Sequence, residues 1–475
     1  MRYAKHCWLA LVIAVLLAGC GGSGSATTAP TTQPTVAATA SAVTPVPQKP
    51  GTTKITFWYG LGGHNGDVVQ MLINKYNLSQ DKYYVQGVFQ ASYDDTLSKF
   101  SAATASQSLP NVVQIYDVGT QRMIDTKKIV PVQDLIARDN LQSLLTDIEP
   151  AILSYYSIGG KLYSMPFNSS TAVMYYDKNA FRQAGLDPNK KAWTYDDVVA
   201  AAQKLTVKDA SGKITRAGVG LYGYAWLLEQ EEAIHNALHA TPDNGRTSRA
   251  TKYTFNNPAS VQYMEFMKKL LDNGTATYFG SNGTPAQNAA DAAFLSGKTV
   301  INFASIANLR GYLTTAQKNG GKIDVGVAYL PRAANAAGRN IIGGASLWVS
   351  NTGTSDQQAG AWDFIKYAVQ PDSQSFWSSN TGYVPVRLST YNLADMKATL
   401  TKYPQFQAAI DQIRAAPTTN FDAGGVAGNM LTARNNIQAV MDDYLSGRTS
   451  SAQTALDSAV EKSNSDLDEY NAANQ

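Results

Sequence analysis

Cysteine and histidine are scarce in this sequence of 475 residues, and each shortage limits the kinds of site that the protein can form. The two cysteines, Cys7 and Cys20, lie within the first twenty residues, so the rest of the chain can form no disulfide. The four histidines are His6, His64, His235 and His239. Beyond the N-terminus no apolar run reaches the roughly 20 residues that a membrane-spanning helix needs.

The N-terminus has the pattern of a lipoprotein signal. Arg2 and Lys5 precede an apolar run over residues 9–18, and small residues stand directly before Cys20. We expect residues 1–19 to be removed and Cys20 to carry a lipid. The protein would then be exported and anchored to the cell membrane, facing the outside or the periplasm. Residues 20–52 contain no aromatic residue and are rich in Gly, Ser, Thr, Ala and Pro, which predicts a disordered tether.

A strong excess of one charge is also lacking. The chain has 39 Lys and Arg residues against 36 Asp and Glu, and Arg2 and Lys5 leave with the signal. A nearly neutral surface argues against nucleic acid as a partner.

The remaining length is too great for one ordinary core and predicts two lobes. Aromatic residues are plentiful, with 26 Tyr and 7 Trp, and their flat apolar faces with polar handles suit carbohydrate or polyol ligands.

Strand and helix patterns alternate along the folded part, which predicts an α/β fold with a mainly parallel sheet. The predicted strands are 55–59, 83–89, 112–116, 299–303, 325–329 and 345–349. The predicted helices are 67–77, 93–105, 195–205, 360–369 and two within 434–472. Thr194 and Asp197 form a capping-box pattern at the start of the helix 195–205.

Two motifs have a chemical and a structural interpretation. The glycine-rich loop 60–66 follows a strand, but it lacks the spacing of a dinucleotide fingerprint and a Gly-Lys-Ser/Thr, so a tight turn is favoured. Glu232, His235 and His239 share a helical spacing that could bind a metal. Without a His-Glu-x-x-His motif, solvated helix residues are the better interpretation, and we expect no metal site.

Catalytic patterns are weak. No Gly-x-Ser-x-Gly elbow is present, although two well-placed carboxylates would suffice for a glycosidase. Asp117 directly follows the third predicted strand, and ligands of open α/β sheets bind beyond the carboxyl ends of strands. Asp117 is therefore a candidate ligand contact.

Several blocks along the chain resemble the extracellular solute-binding proteins of sugar ABC importers and, within that family, the periplasmic glycerol-3-phosphate-binding proteins. The blocks are Phe57-Trp58, Gln114-Ile115-Tyr116, Val118-Gly119-Thr120, Phe167-Asn168-Ser169-Ser170-Thr171, Tyr175-Tyr176-Asp177-Lys178, Ala184-Gly185-Leu186-Asp187-Pro188, Ile341-Ile342-Gly343-Gly344-Ala345-Ser346-Leu347-Trp348-Val349, Thr381-Gly382-Tyr383 and Gly428-Asn429-Met430. The block 341–349 is highly specific, whereas 175–178 marks only the wider family.

The resemblance implies two discontinuous α/β lobes, joined by a hinge of several crossings, that close on a ligand. The implied segments are 53–170 with 305–343 for the first lobe, and 171–304 with 344–475 for the second. The resemblance implies no reaction and no cofactor. It implies a monomer that captures a small solute and delivers it to the transmembrane subunits of an ABC permease.

The resemblance also implies a set of ligand contacts. Carried over position by position, they are Tyr93, Asp117, Ser170, Trp226, Ser305, Gly344, Tyr383 and Arg434. Their chemistry suits a glycerol phosphate, because a guanidinium binds phosphate bidentately and hydroxyl and backbone N–H groups can bind its other oxygens. Tyrosine hydroxyls and a carboxylate suit glycerol hydroxyls, and an indole can pack on the carbon edge.

Two positions depart from the family pattern. The family has Glu where this chain has Asp117, and a second cleft tryptophan falls at Gly223, beside Tyr224. The loss of an indole predicts a larger ligand, a glycerophosphodiester such as glycerophosphocholine, with Tyr224 and Trp226 facing the choline cation. Two alternatives stay open here: an oligosaccharide-binding component of a sugar importer, and a surface-anchored hydrolase of glycerophosphodiesters or glycans.

Overall fold

A computed structural model describes residues 40–106, 108–415 and 418–474. The predicted signal peptide, Cys20 and the first part of the predicted tether lie outside the described residues. Among the helices described, none combines the length and the apolar character needed to cross a membrane.

The strands and helices follow one another through the whole described chain. In chain order the strands are β1 Thr53–Tyr59, β2 Tyr83–Phe89, β3 Val112–Tyr116, β4 Ile129–Val130, β5 Ser157–Ile158, β6 Lys161–Leu162, β7 Met165–Ser170, β8 Ala172–Asp177, β9 Val207–Lys208, β10 Ile214–Leu221, β11 Ala240–Thr241, β12 Lys252–Tyr253, β13 Ala276–Tyr278, β14 Thr299–Ser305, β15 Val325–Tyr329 and β16 Gly343–Ser350. The α-helices are α1 Gly63–Ser79, α2 Tyr93–Ser106, α3 Thr120–Asp125, α4 Val132–Arg138, α5 Ser143–Thr146, α6 Pro150–Tyr156, α7 Lys178–Gln183, α8 Tyr195–Leu205, α9 Ala225–Ile234, α10 Pro258–Asp272, α11 Thr284–Leu295, α12 Leu309–Lys318, α13 Ser355–Ala368, α14 Pro371–Thr381, α15 Ala394–Lys402, α16 Phe406–Arg414, α17 Met430–Leu445 and α18 Ala452–Ala473.

Local sequence signals account for many of these bounds. Strands β2, β3 and β15 begin and end where their alternating or continuously apolar runs predict. The capping box at the start of α8 is confirmed: the Thr194 hydroxyl accepts from the Asp197 N–H, and the Asp197 carboxylate accepts from the Thr194 N–H. Helix α1 begins earlier than predicted, at Gly63, within the glycine-rich loop.

The first sheet has the order β2-β1-β3-β16-β4, with β7 also paired to β16. Strand β1 runs parallel to β2 and β3, whereas β16 runs antiparallel to β3 and β7. Helices α1, α2 and α13 pack against its strands. Buried apolar residues on both sides make this sheet, with its helices, the first lobe.

The second sheet has the order β13-β10-β14-β8-β15, with β9 paired to β10. Strand β10 runs parallel to β13 and β14, and β8 runs antiparallel to β14 and β15. Helices α8, α11 and α16 pack on this sheet and form the second lobe with it. The predicted two-lobed α/β class is thereby confirmed. The prediction of a mainly parallel sheet is wrong, because both sheets are mixed: β16 runs antiparallel to its partners in the first sheet and β8 to its partners in the second.

The chain crosses between the sheets at Thr171, which separates β7 from β8, and again between β15 and β16. This pairing corrects two predicted segment boundaries. Strand β15 belongs to the second sheet, whereas the predicted segment 305–343 belongs to the first lobe. Strand β16 with α13 belongs to the first sheet, whereas the predicted segment 344–475 belongs to the second lobe. The reason is long-range pairing: β15 pairs with β8 and β16 with β3, and neither partner is a neighbour in sequence.

Residues 41–46 lie along α1 and correct the predicted extent of the tether. The Asp67 carboxylate accepts hydrogen bonds from the Ser41 hydroxyl and the Ala42 N–H, at 3.0 and 2.7 Å. Asn74 accepts from the Val46 N–H and donates to the Thr44 carbonyl, at 3.1 and 2.9 Å. Composition cannot reveal these bonds, because their partners are side chains about 25 to 30 residues further along.

Candidate functional site

A cavity of about 440 Å³ lies where the two sheets face each other. Several strands end at its wall: β3 leads into Asp117, β7 ends at Ser170, β14 ends at Ser305, and β10 leads into Tyr222 and Tyr224. This is where open α/β sheets bind ligands, because loops at the carboxyl ends of strands present both side chains and free backbone groups.

The structure brings the predicted contacts together. Among the residues that line the cavity are Tyr93, Asp117, Ser170, Trp226, Ser305, Gly344, Tyr383 and Arg434, and also Tyr224. They come from both lobes and span more than 300 residues of sequence. A cavity of this size, with mixed aromatic and polar walls, has the properties of a small-molecule site.

Gly223 is the predicted position that does not reach the wall. A Cβ added there would lie 1.9 Å from the Ser281 Oγ and 3.4 Å from the Met441 Cβ. A side chain at this position would therefore meet Met441 on α17 and Ser281, and Gly223 is not among the residues that line the cavity. The argument for a larger ligand from a missing indole at this position has no support in the structure.

Arg434 forms the charged centre of the site. Its Nε and Nη2 donate to the two carboxylate oxygens of Glu229, at 2.6 and 2.7 Å. Nη2 also donates to the Asp117 Oδ2, and Nη1 lies 3.5 Å from the Oδ1. Asp117 follows β3 of the first sheet, whereas Glu229 and Arg434 stand on α9 and α17. These two helices pack on α10, which packs on β13 and α8 of the second lobe, so this ion pair joins the lobes across the cavity.

The electrostatics of this group keep Arg434 charged. Burial alone would lower the pKa of the Arg434 guanidinium, but the charges of Asp117 and Glu229 outweigh it and raise that pKa well above its usual range. Burial raises the pKa of the Asp117 carboxyl, and Arg434 offsets part of that effect. The Tyr155 hydroxyl donates to the Asp117 Oδ2 at 2.9 Å and orients the carboxylate.

Tyrosines form the wall on the side of the first lobe. The Tyr93 and Tyr383 hydroxyls lie 3.3 Å apart, and the Asn168 amide donates to the Tyr93 hydroxyl at 2.8 Å. Tyr93 stacks on Tyr116, with ring centroids 5.3 Å apart and an interplanar angle of 13°. This network fixes two phenol groups at the cavity, where they can exchange hydrogen bonds with ligand hydroxyls.

Trp226 forms the wall on the side of the second lobe. Its indole N–H donates to the Ile342 carbonyl at 3.4 Å, and its ring lies 6.1 Å from that of Tyr224. A Cβ added at Gly343 would lie 2.5 Å from the Trp226 Cζ2. The absence of a side chain at Gly343 therefore allows the indole to pack against the start of β16.

Hydroxyl and backbone groups complete the site. Ser170 is buried at the end of β7, and the Ser305 hydroxyl accepts from the Ala307 N–H at 3.2 Å. Gly344 has φ +105°, and an added Cβ would lie 1.9 Å from the Asn168 carbonyl oxygen. Only glycine fits this close approach of β16 to β7, which brings the backbone to the cavity wall.

The structure adds wall residues that the sequence did not indicate as contacts. They include Gly60, Leu61, Gly62, Gly63, Asp94, Tyr116, Tyr222, Gln287, Asn288, Asn308, Asn435 and Gln438. The position of the glycine-rich loop directly after the first strand could have indicated it as part of the wall, whereas the sequence analysis favours only a tight turn. Glu229, behind the wall, had no signal at all in the sequence.

The motif of Glu232, His235 and His239 has a structural role, and only Glu232 lies on α9, because the helix ends at Ile234. The Glu232 carboxylate accepts from the His239 ring at 2.8 Å, and also from Ser260 and Asn257. His235 instead directs its Nδ1 to the Glu231 carbonyl. Within the described ranges no group of three His, Cys, Asp or Glu side chains is placed to hold a metal ion. The prediction of solvated residues is wrong for Glu232 and His239, which are buried and bonded to each other.

A pH-dependent contribution to stability arises on the same helix. Burial raises the pKa of Glu231 from 4.5 to about 8, partly offset by Tyr195 and Arg332. Between these values the folded state keeps a proton that the unfolded state releases, so the free energy of unfolding falls as pH rises from about 5 to 8. The slope reaches about 1.4 kcal/mol per pH unit. Urea unfolding across this range should give a steeper slope in the wild type than in Glu231→Gln, in which Asp291, whose pKa burial raises to about 6, still titrates. Equal slopes would contradict the assignment.

Comparison with known proteins places the chain in a family. The model of the bacterial extracellular solute-binding proteins matches residues 71–408. The chain belongs to this family. The sn-glycerol-3-phosphate-binding periplasmic protein UgpB of Yersinia pseudotuberculosis is 30% identical to this solute-binding protein over 432 residues, covering 89% of this chain and 94% of that one. The UgpB of Escherichia coli K12 is 31% identical over 421 residues, covering 87% and 92%.

Solved structures agree with the fold of this solute-binding protein. UgpB of Mycobacterium tuberculosis in complex with glycerophosphocholine matches with a TM-score of 0.73 and 20% identity, covering 89% of this chain and all of that one. The GacH receptor of Streptomyces glaucescens, solved unliganded and with acarbose, matches with a TM-score of 0.70 and 17% identity, covering 88% and 99%. At these identities the likeness concerns the fold alone.

Family membership decides the class of activity. Proteins of this family bind small solutes and deliver them to the permease subunits of ABC importers; they are not enzymes. The predicted family is confirmed, and the alternative of a surface hydrolase is wrong for this extracellular solute-binding protein.

Proposed function

We propose that this solute-binding protein captures glycerol-3-phosphate or a glycerophosphodiester such as glycerophosphocholine and delivers it to its permease. The observation that carries the proposal is the position of Arg434, whose guanidinium lines the cavity together with Ser170, Ser305 and the backbone of Gly344. A guanidinium that shares a cavity with hydroxyl and backbone N–H groups is suited to a phosphate group. The names of the relatives that cover this chain point to the same ligand class.

The rest of the wall suits the glycerol part of such a ligand. The phenols of Tyr93 and Tyr383 and the carboxylate of Asp117 can exchange hydrogen bonds with hydroxyls. The flat face of Trp226 can cover the carbon chain and exclude water from it. Polar and apolar ends of the ligand therefore have matching partners within one cavity.

The membrane anchor is part of the proposal. We place the lipid on Cys20, so that the body is held at the membrane on which the permease works. Because residues 41–46 lie along α1, they do not belong to the tether that the composition predicts. The cavity between the two sheets offers one binding site per chain, which fits a monomer that acts alone.

A neutral oligosaccharide is the second candidate, and one feature of the cavity favours it. Amide side chains of Gln287, Asn288, Asn308, Asn435 and Gln438 line the wall, and amides both donate to and accept from sugar hydroxyls. Arg434 distinguishes the two candidates, because a sugar has no anionic group that needs it.

Calorimetric titration of the mature chain with Cys20→Ser tests the proposal. Glycerol-3-phosphate, glycerophosphocholine, maltose and a longer maltodextrin would be compared on the same preparation. Saturable binding of a phosphate ester, with one site per chain, is the expected result. Binding of a maltodextrin alone would overturn the phosphate-ester assignment and favour the sugar importer.

A further inference from the structure

A charged contact joins the two lobes outside the cavity wall. Asp125 ends α3, which follows β3 of the first sheet through the turn 117–119, and this turn packs on β16. The Asp125 carboxylate accepts from both Nη atoms of Arg249, at 3.0 and 2.6 Å, and from the Tyr470 hydroxyl at 2.9 Å. Arg249 lies shortly before β12, and Tyr470 stands on α18, which packs on α10, α17 and β12. The contact therefore connects the first lobe to the second.

This contact is well oriented and partly withdrawn from water. The Asp125 side chain is 7% exposed and the Arg249 side chain 31% exposed. A guanidinium that donates two hydrogen bonds to one carboxylate forms a more directional pair than a single exposed ion pair. Arg249 is itself held in place, because its Nη1 lies 3.3 Å from the Asn471 Oδ1 and its Nη2 lies 3.2 Å from the Asn474 carbonyl oxygen. The pair therefore favours one relative position of α3 and α18.

The Tyr470 ring extends the contact to the start of α17. A Cβ added at Gly428 would lie 1.7 Å from the Tyr470 Cε1, so only glycine leaves room for the ring. The Arg122 guanidinium of α3 lies 5.6 Å from the centroid of the same ring, and its Nε donates to the Gly428 carbonyl at 3.4 Å. Helix α17 begins at Met430 and carries Arg434. The contact therefore holds the helix with the charged centre of the site against the first lobe.

Entry and release of a ligand require this contact to break. Tyr383 and Arg434 are buried at the cavity, so a ligand reaches them only when the lobes separate. The lobes can separate about the segments where the chain crosses between the sheets, at Thr171 and between β15 and β16. Asp125 and Arg249 lie outside these segments and on different lobes. Separation therefore breaks their hydrogen bonds.

We propose that Asp125, Arg249 and Tyr470 form a latch that favours the closed lobes and slows ligand release without touching the ligand. A contact made only in the closed state shifts the equilibrium between open and closed by its own free energy, whichever solute fills the cavity. The residence time of the solute is therefore set partly by residues outside the cavity wall. The inference rests on the proposed function only for the ligand used in its second test.

The distance between the lobes tests the latch without any ligand. Lys99 on α2 and Lys298 before β14 are exposed, and Lys99→Cys with Lys298→Cys in the mature chain with Cys20→Ser gives two sites for spin labels. Pulsed electron paramagnetic resonance then measures the population of the shorter, closed distance. Asp125→Asn and Tyr470→Phe are each expected to lower the ratio of closed to open at least about threefold.

Asp147→Asn is the matched control. Asp147 pairs with Arg387 at 2.7 Å, and this pair lies within the first lobe, because the turn after Arg387 packs on α14 and α14 packs on α1. The control removes a carboxylate paired with an arginine but breaks no contact between the lobes, so the distance distribution should not change. Asparagine at position 125 keeps an oxygen that can accept from the Tyr470 hydroxyl, so this variant should fold, and melting temperatures check this.

The rate of ligand release is the second measurement. Stopped-flow dissociation of glycerophosphocholine is expected to be at least about fivefold faster in Asp125→Asn and Tyr470→Phe, and within about twofold of the wild type in Asp147→Asn. An unchanged distance distribution in Asp125→Asn, or the same acceleration in Asp147→Asn, would overturn the latch but leave the proposed function intact. Failure of every phosphate ester to bind the wild type would overturn the proposed function, and the distance measurement would still decide on the latch.

Discussion

Replacing Arg434 by methionine is expected to abolish binding of phosphate esters and to lower the free energy of unfolding by about 3–5 kcal/mol. The guanidinium is buried between Glu229 and Asp117, and methionine would leave both carboxylates without their cation. Calorimetric titration measures the loss of binding, and urea unfolding measures the loss of stability.

The two effects can be separated by a second substitution. Adding Glu229→Gln to Arg434→Met removes one of the uncompensated charges and should recover part of the stability without recovering binding. Arg448→Met is the matched control: Arg448 follows the same helix, α17, but its pairs with Asp442 and Asp443 are exposed. We expect the control to cost less than about 1 kcal/mol and to bind normally. Phosphate-ester binding by a folded Arg434→Met within twofold of the wild type would contradict the assigned role.

Replacing Trp226 by alanine is expected to lower the free energy of unfolding by about 3–5 kcal/mol and to weaken ligand binding at least tenfold. The side chain is 6% exposed, packs against Gly343 and also lines the cavity, so its loss opens a void and removes a ligand surface together. Trp226→Phe should fall between the wild type and Trp226→Ala in both measurements.

A tryptophan remote from the cavity shows whether the loss of affinity is specific. Trp362 on α13 is 1% exposed, and its indole N–H donates to the Asp139 carboxylate at 2.8 Å. Trp362→Ala should lose a similar amount of stability and keep its affinity. The same loss of affinity in both variants, measured at a temperature where both are folded, would mean that Trp226 acts only through stability.

Much of the secondary structure, and several of the residues that line the cavity, could be predicted from the sequence. The capping box of α8 and the apolar runs of β2, β3 and β15 depend on neighbours in the chain, so local chemistry is enough to place them. The eight carried-over contacts became predictable through family blocks such as 341–349. Those blocks identify residues, but they contain no information on which groups neutralise one another.

What the sequence by itself determined is the order of helices and strands, the α/β class and the chemical types gathered in the cleft. The tertiary structure alone decided that β15 belongs to the second sheet and β16 to the first, that a side chain at Gly223 would meet Ser281 and Met441, and that residues 41–46 lie on α1. It also decided that Arg434 pairs with Glu229, 205 residues away, and Asp117, 317 residues away. The physical reason is that these contacts join segments far apart in the chain, and their energies depend on burial and distance, which exist only after folding.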